Sequence, residues 1–194
     1  ESRVGIVIAD ASGKNIPAAI IMTVFKTALA TMDLKALSAS EVLDKSNLIL
    51  KNLSLEDRFV TAMYVIINRE TGVVELACAG HNPAIVVSGK GFELSIGEWT
   101  AKGTPLGIID CSYVSQKYVL KPKDLLLLYT DGVTEARNAF REEFGTSRLK
   151  KFLAKPRGRN PAEDLLQEIQ GFMGEASQHD DITAVAVEYL GKSA

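Results

Sequence analysis

The chain has 194 residues, 46% of them hydrophobic, enough for one domain with a single sizeable core. With 22 basic and 24 acidic side chains, its formal net charge of −2 argues against nucleic acid or an anionic membrane as a partner. No apolar run approaches the roughly 18 residues of a membrane span.

Val4–Ala9 is a short, β-branched apolar run and predicts a buried strand. A polar turn from Asp10 to Asn15 follows. Pro17 then suits the first turn of a helix carrying Ala18, Ile20, Ile21, Val24, Phe25, Ala28 and Leu29. Ser38 with Glu41 three residues on forms a capping-box pattern, opening a second helix with Val42, Ser46, Ile49, Leu50 and Leu53 on one face. Beyond Phe59 the period changes. Phe59–Asn68 and Val73–Ala79 flank a Gly-containing turn and read as a hairpin. Ala84–Ser88 and Phe92–Leu94 flank another, and Gly97–Ile109, with the lone Trp99, reads as a long surface loop. Tyr113–Leu120 and Asp124–Tyr129 are separated by a Lys-Pro-Lys turn, and the wholly apolar Leu125–Tyr129 predicts a central strand covered on both faces. Helices are expected at Ser147–Ala154 and Pro161–Gly174, the latter capped by Asn160 with Glu163 in its first turn. Ile182–Tyr189 closes the chain as a strand. Runs of hairpins between helices predict an α+β domain, a layered sandwich flanked by helices.

Cys78 and Cys111 have no CxxC or metal-ligand spacing and are read as unpaired thiols of a reducing cytoplasm. Glu1 stands where an initiator Met would, and the apolar run begins by Val4. We read residues 1–194 as a single domain excised from a longer protein, with no signal peptide visible.

Three carboxylate positions stand at strand ends: Asp10, Asp131, and the pair Asp180 and Asp181. Carboxylates brought together from such ends make an all-oxygen cage, the ligand set of Mg²⁺ or Mn²⁺. Taken singly, each is equally at home as a turn former or helix cap. Gly13-Lys14 lacks the upstream glycine of a phosphate-binding P-loop, and Asp10-Ala-Ser lacks the Asp-x-Asp of an aspartyl-phosphate enzyme.

The stretch from Ala9 to Ala19 (ADASGKNIPAA) resembles the G-D-V-S-G-K-G-I-P-A-A signature of SpoIIE/RsbU-type phosphatases, within the metal-dependent type 2C protein phosphatase superfamily. Ala79–Pro83 (AGHNP), Gly103–Gly107 (GTPLG), Tyr129–Ala136 (YTDGVTEA), Glu143–Gly145 (EFG) and Asp180–Thr183 (DDIT) are similar to its later motifs, in order along the chain. The resemblance implies an α-β-β-α sandwich of two mainly antiparallel sheets flanked by helices. It implies hydrolysis of protein phosphoserine or phosphothreonine by water activated between two Mn²⁺ or Mg²⁺ ions. Asp10 would bridge the ions, the main-chain carbonyl of Ala11 would bind one, Asp131 and Asp180 would hold the other, and Asp181 would be a weaker ligand. Asp10, Asp131 and Asp180 are thus the expected catalytic residues.

The chain departs from the pattern in places. Ser12 stands where the eukaryotic branch has a histidine general acid. His81 is the one histidine that could substitute, although a histidine in a turn reads more readily as structural. Asn15 replaces a family glycine, which Asn tolerates best if the position needs positive φ. The family's G-G-D-x-x-D-type segment would lie upstream of Glu1, so the N-terminal strands and one metal ligand are expected to be missing. Expected partners are a phosphorylated STAS-type anti-anti-sigma protein and an N-terminal sensor or receiver module, with a homodimer allowed. Regulation is expected on the helix after Lys14. The expected setting is cytoplasmic stress or sporulation signalling. The alternative is a catalytically impaired phosphatase-fold domain acting as a partner-binding regulatory module.

Overall fold

The structure, a computed structural model, describes residues 2–53, 58–89, 93–156 and 158–191. In chain order the elements are β1 (Arg3–Ala11), α1 (Asn15–Thr31), α2 (Ala39–Asn52), β2 (Val60–Asn68), β3 (Val73–Ala79), β4 (Ala84–Ser88), β5 (Ser95–Trp99), β6 (Ser115–Val119), β7 (Leu125–Tyr129), α3 (Asp131–Thr134), α4 (Gly145–Leu153), α5 (Pro161–Met173) and β8 (Ala184–Glu188). The chain divides into two compact units. One is built mainly from Glu1–His81 and Thr100–Leu120, the other from Asn82–Trp99 and Lys121–Leu190.

The first unit has a four-stranded antiparallel sheet, ordered β1-β2-β3-β6, and carries α1 and α2. Alternation along β2 sends Val60, Ala62, Tyr64 and Ile66 toward one core, where they meet Ile21 and Phe25 of α1 and Val42, Leu43 and Leu50 of α2. The capping box at the start of α2 is present: the Ser38 hydroxyl accepts from the Glu41 N–H, and the Glu41 carboxylate accepts from the Ser38 N–H at 2.8 Å. The buried stripe of α2 differs from the expected one. It runs through Val42, Leu43, Ser46, Asn47 and Leu50, leaving Ile49 and Leu53 exposed. Asn47 is buried because both ends of its amide are satisfied, Nδ2 donating to the Ile109 carbonyl and Oδ1 accepting from the Gly107 N–H. That fastens the Gly103–Gly107 segment to the helix.

The second unit has another four-stranded antiparallel sheet, ordered β5-β4-β7-β8, with α3, α4 and α5. β7 lies between β4 and β8, and all five of its residues are buried, as its unbroken apolar run predicts. Ile85, Val87, Leu125 and Leu127 of the sheet pack with Phe144, Leu149, Leu153, Leu165, Ile169 and Met173. Asn160 caps α5 by accepting from the Glu163 N–H, with Pro161 in the first turn.

One expectation is corrected. The strand predicted at Phe92–Leu94 is found instead at β5, whose last three residues, Gly97, Glu98 and Trp99, belong to the segment read as a loop; Phe92 itself lies outside the described residues. The Lys-Pro-Lys turn is real, closed by Asp124 N–H to the Lys121 carbonyl at 2.9 Å and Lys121 N–H to Asp124 Oδ2 at 2.8 Å. Yet it does not pair its flanking strands: β6 pairs with β3, and β7 with β4 and β8. A turn signal gives a reversal of the chain and carries no information on which partner each strand finds.

Candidate active site

In the first unit, Asp10 is the penultimate residue of β1, directly opposite Thr61 of β2, with Ala11 opposite Val60. The strand pair is closed just beyond by Ser12, whose N–H donates to the Phe59 carbonyl at 2.9 Å while its hydroxyl accepts from the Phe59 N–H at 2.8 Å. Ser12 therefore works as a strand-end clasp. Gly13 follows with φ +86° and Asn15 with φ +65°, so the position where Asn replaces glycine does need the left-handed conformation. His81 is 8% exposed, and its Nδ1 lies 2.9 Å from Thr61 Oγ1. The histidine is thus tied to the residue facing Asp10. Its carbonyl accepts from the Cys78 thiol.

In the second unit, Asp131 begins α3 directly beneath the buried end of β7, half-buried in its own right. Thr130 fixes it. The Thr130 N–H donates to the Thr183 carbonyl at 3.1 Å, its hydroxyl donates to the Asp181 carbonyl at 3.1 Å, and that hydroxyl also accepts from the Thr183 N–H at 3.0 Å. Gly132 completes the clamp: a Cβ there would collide with the Asp181 carbonyl. Gly132 and Thr183 shape the backbone, and they do so by holding residues 181–183 against the start of α3. Asp180 and Asp181 are exposed, and Asp180 Oδ1 accepts from the Asp181 N–H at 2.9 Å.

Sequence reading missed one acidic member, Glu135. Its N–H donates to the Asp131 carbonyl at 2.8 Å. Partial desolvation, then the negative charges of Asp131, Glu143 and Asp180, push its carboxyl above the ordinary glutamate range, with Arg137 opposing. The signal was present, because a residue four positions along a helical turn shares a face with Asp131. Asp131 Oδ1 is buried without a hydrogen-bond partner among the described residues. An orphaned carboxylate oxygen beside further carboxylates is the donor chemistry a hard divalent cation satisfies. Among the described residues no three His, Cys, Asp or Glu side chains gather into a group able to hold an ion by themselves.

The family profile described as Stage II sporulation protein E (SpoIIE) matches residues 1–190. The chain belongs to the SpoIIE family. Phosphoserine phosphatase RsbU of Bacillus subtilis is similar at 31% identity over 196 residues, covering 96% of this chain and 56% of that protein. The SpoIIE-family chain thus spans a little over half the length of that relative. Among solved structures, the RsbU and RsbW domains of a Mycobacterium tuberculosis protein superpose with a TM-score of 0.82 at 22% identity, covering 100% of this chain and 53% of that one. The SiaA-PP2C domain of Pseudomonas aeruginosa gives 0.80 at 19% identity, over 97% of this chain and 80% of that one. RsbX, solved in complex with magnesium, gives 0.69 at 15% identity, over 96% and 81%. These likenesses place the α+β architecture of two antiparallel sheets with helices in the PP2C fold, as the sequence motifs implied.

Proposed function

We propose that this SpoIIE-family chain carries a metal-dependent protein serine/threonine phosphatase activity, acting on a phosphorylated regulatory protein in stress or sporulation signalling. The observation that carries the reading is the Asp131 carboxylate, held by a buried strand, a threonine clamp and an obligate glycine, yet with one buried oxygen left for a ligand. The name of the relative RsbU, a phosphoserine phosphatase, supports the same chemistry, and RsbX in complex with magnesium supports a divalent ion.

In the second unit Asp131 and Asp180, with Asp181 as a weaker ligand, would hold Mn²⁺ or Mg²⁺. Asp10 and the Ala11 carbonyl are the donors of the first unit. When bound, the ions supply Lewis-acid chemistry that lowers the pKa of water and neutralises phosphoryl charge. In the net reaction a water oxygen forms the new bond to phosphorus, the bond from phosphorus to the seryl or threonyl oxygen breaks, and that oxygen takes up a proton. Ser12, spent on the Phe59 backbone, and His81, tied to Thr61, serve the geometry around Asp10. The substrate we assign is a phosphorylated STAS-type anti-anti-sigma protein, in the cytoplasm, with an upstream sensor or receiver module as regulator. Among the described residues no helix is long and apolar enough to cross a membrane.

The test compares the intact protein with its Asp131→Asn variant on a phosphoserine peptide, with and without Mn²⁺. The expected outcome is Mn²⁺-dependent phosphate release that the variant loses by a factor of about 100 or more. Equal, background-level rates in both would overturn the reading in favour of a partner-binding module.

A further inference from the structure

Arg58 lies two residues before β2, and its position is fixed because the next residue, Phe59, makes both of its backbone hydrogen bonds with Ser12. The side chain turns onto the loop that follows Asp10. A Cβ added to Gly13 would run into the Arg58 guanidinium, meeting Nη1 and coming within 2.9 Å of Cζ. Gly13, at φ +86°, therefore does two things: it turns the chain, and it leaves room for a planar cation against its Cα. The fork thus lies against Gly13, in the loop that follows Asp10 and Ala11.

Arg58 is half-buried, and it makes no ion pair or hydrogen bond with any described residue. A partly desolvated guanidinium ordinarily finds a carboxylate or a carbonyl, because each of its donors loses water on burial. The start of α1 adds no competing anion, since the helix has no acidic residue in its first turn and no side-chain cap at Lys14. The field at that helix end favours negative charge, although it makes no site by itself.

We propose that Arg58 is a phosphoryl-binding residue, its guanidinium donating two parallel N–H bonds to non-bridging oxygens of the substrate phosphomonoester. The inference rests on the phosphatase reading and adds the group that recognises the phosphate itself. The planar fork matches two oxygens of a phosphate in a way a lysine ammonium does not. A phosphoryl dianion supplies acceptors that no described residue offers the fork. Gly13 is part of the same device, because any side chain there would push the fork off the loop.

The experiment titrates inorganic phosphate into the intact protein by calorimetry in the presence of Mn²⁺, for the wild type, Arg58→Met and Arg58→Lys. Methionine keeps the apolar stem and removes the donors; lysine keeps the charge and loses the fork. The expected result is phosphate binding weakened roughly ten- to a hundredfold in Arg58→Met and less in Arg58→Lys. With a phosphoserine peptide, KM should rise by a similar factor while kcat changes less, and the thermal midpoints of the free proteins should agree. Phosphate binding that is absent from the wild type, or equal in wild type and Arg58→Met, overturns the assignment. So does a loss that tracks a fallen thermal midpoint, which would make Arg58 a packing residue. Failure of the phosphatase reading shows elsewhere, as a wild type no faster than Asp131→Asn, while the phosphate titration still reports on Arg58.

Discussion

Thr130→Val tests whether the clamp beneath β7 is what holds Asp131. Valine matches threonine in shape but removes a hydroxyl that, in this buried residue, both donates to the Asp181 carbonyl and accepts from the Thr183 N–H. Each bond contributes about 1 kcal/mol net, and leaving backbone partners short of a hydrogen bond adds to the loss. The expected cost is about 2–3 kcal/mol, which for a domain of this size is a fall in Tm of roughly 5–10 °C. Thr130→Ser is the control: it keeps the hydroxyl, loses one methyl, and should cost about 1 kcal/mol or less. Urea melts with an unchanged m-value read the difference directly. Because the clamp sets the direction of Asp131, Thr130→Val should also lose most of the rise in Tm that Mn²⁺ gives the wild type. If valine and serine variants agree within about 0.5 kcal/mol, the hydroxyl is not what fastens residues 181–183, and the reasoning fails.

Two further outcomes follow from the first unit. The Glu41 carboxyl is held below the ordinary range by its hydrogen bonds to the Ser38 hydroxyl and then the Ser38 N–H. A carboxyl depressed on folding stabilises above its unfolded pKa and loses that contribution as pH falls through its folded pKa. The Tm gap between wild type and Glu41→Ala should therefore narrow on acidification across that window; a gap independent of pH would refute the capping role. Burial raises the Cys78 thiol, and both cysteines are free. A thiol reagent at neutral pH should label half-buried Cys111 first and Cys78 only on unfolding. Equal labelling rates in the native protein would contradict this.

Much of this was legible in the residues, where pattern and physics coincide. The capping box at Ser38, the Asn160 cap and the fully buried β7 follow from local chemistry that tertiary structure did not override. β5 was lost because Gly97 and its half-exposed neighbours give no clean alternation, and α3 because a single helical turn has no period to detect. The exposure of Ile49 and Leu53 shows that an apolar stripe on a helix fixes its face only to within a residue or two. The candidate ligands Asp10, Asp131 and Asp180 were proposed from their places at the ends of the expected strands. What holds them was not visible: the Thr130 clamp joins residues more than fifty positions apart, and the lean of Arg58 on Gly13 joins two loops that share no motif. Spacing along a chain reports neighbours of the same element, and these contacts are between elements.

The Lys-Pro-Lys turn has a consequence for how the chain is made. Neither unit is continuous in sequence: β6, which completes the first sheet, is translated after β4 and β5, which belong to the second. Until β7 and β8 have left the ribosome, β4 lacks one of its two strand partners, and Ile85 and Val87 stay uncovered until α4 and α5 have emerged. No single cut of the chain separates the two units. A nascent chain released before the turn would leave β4 without its partner β7, with an open edge able to pair with other chains.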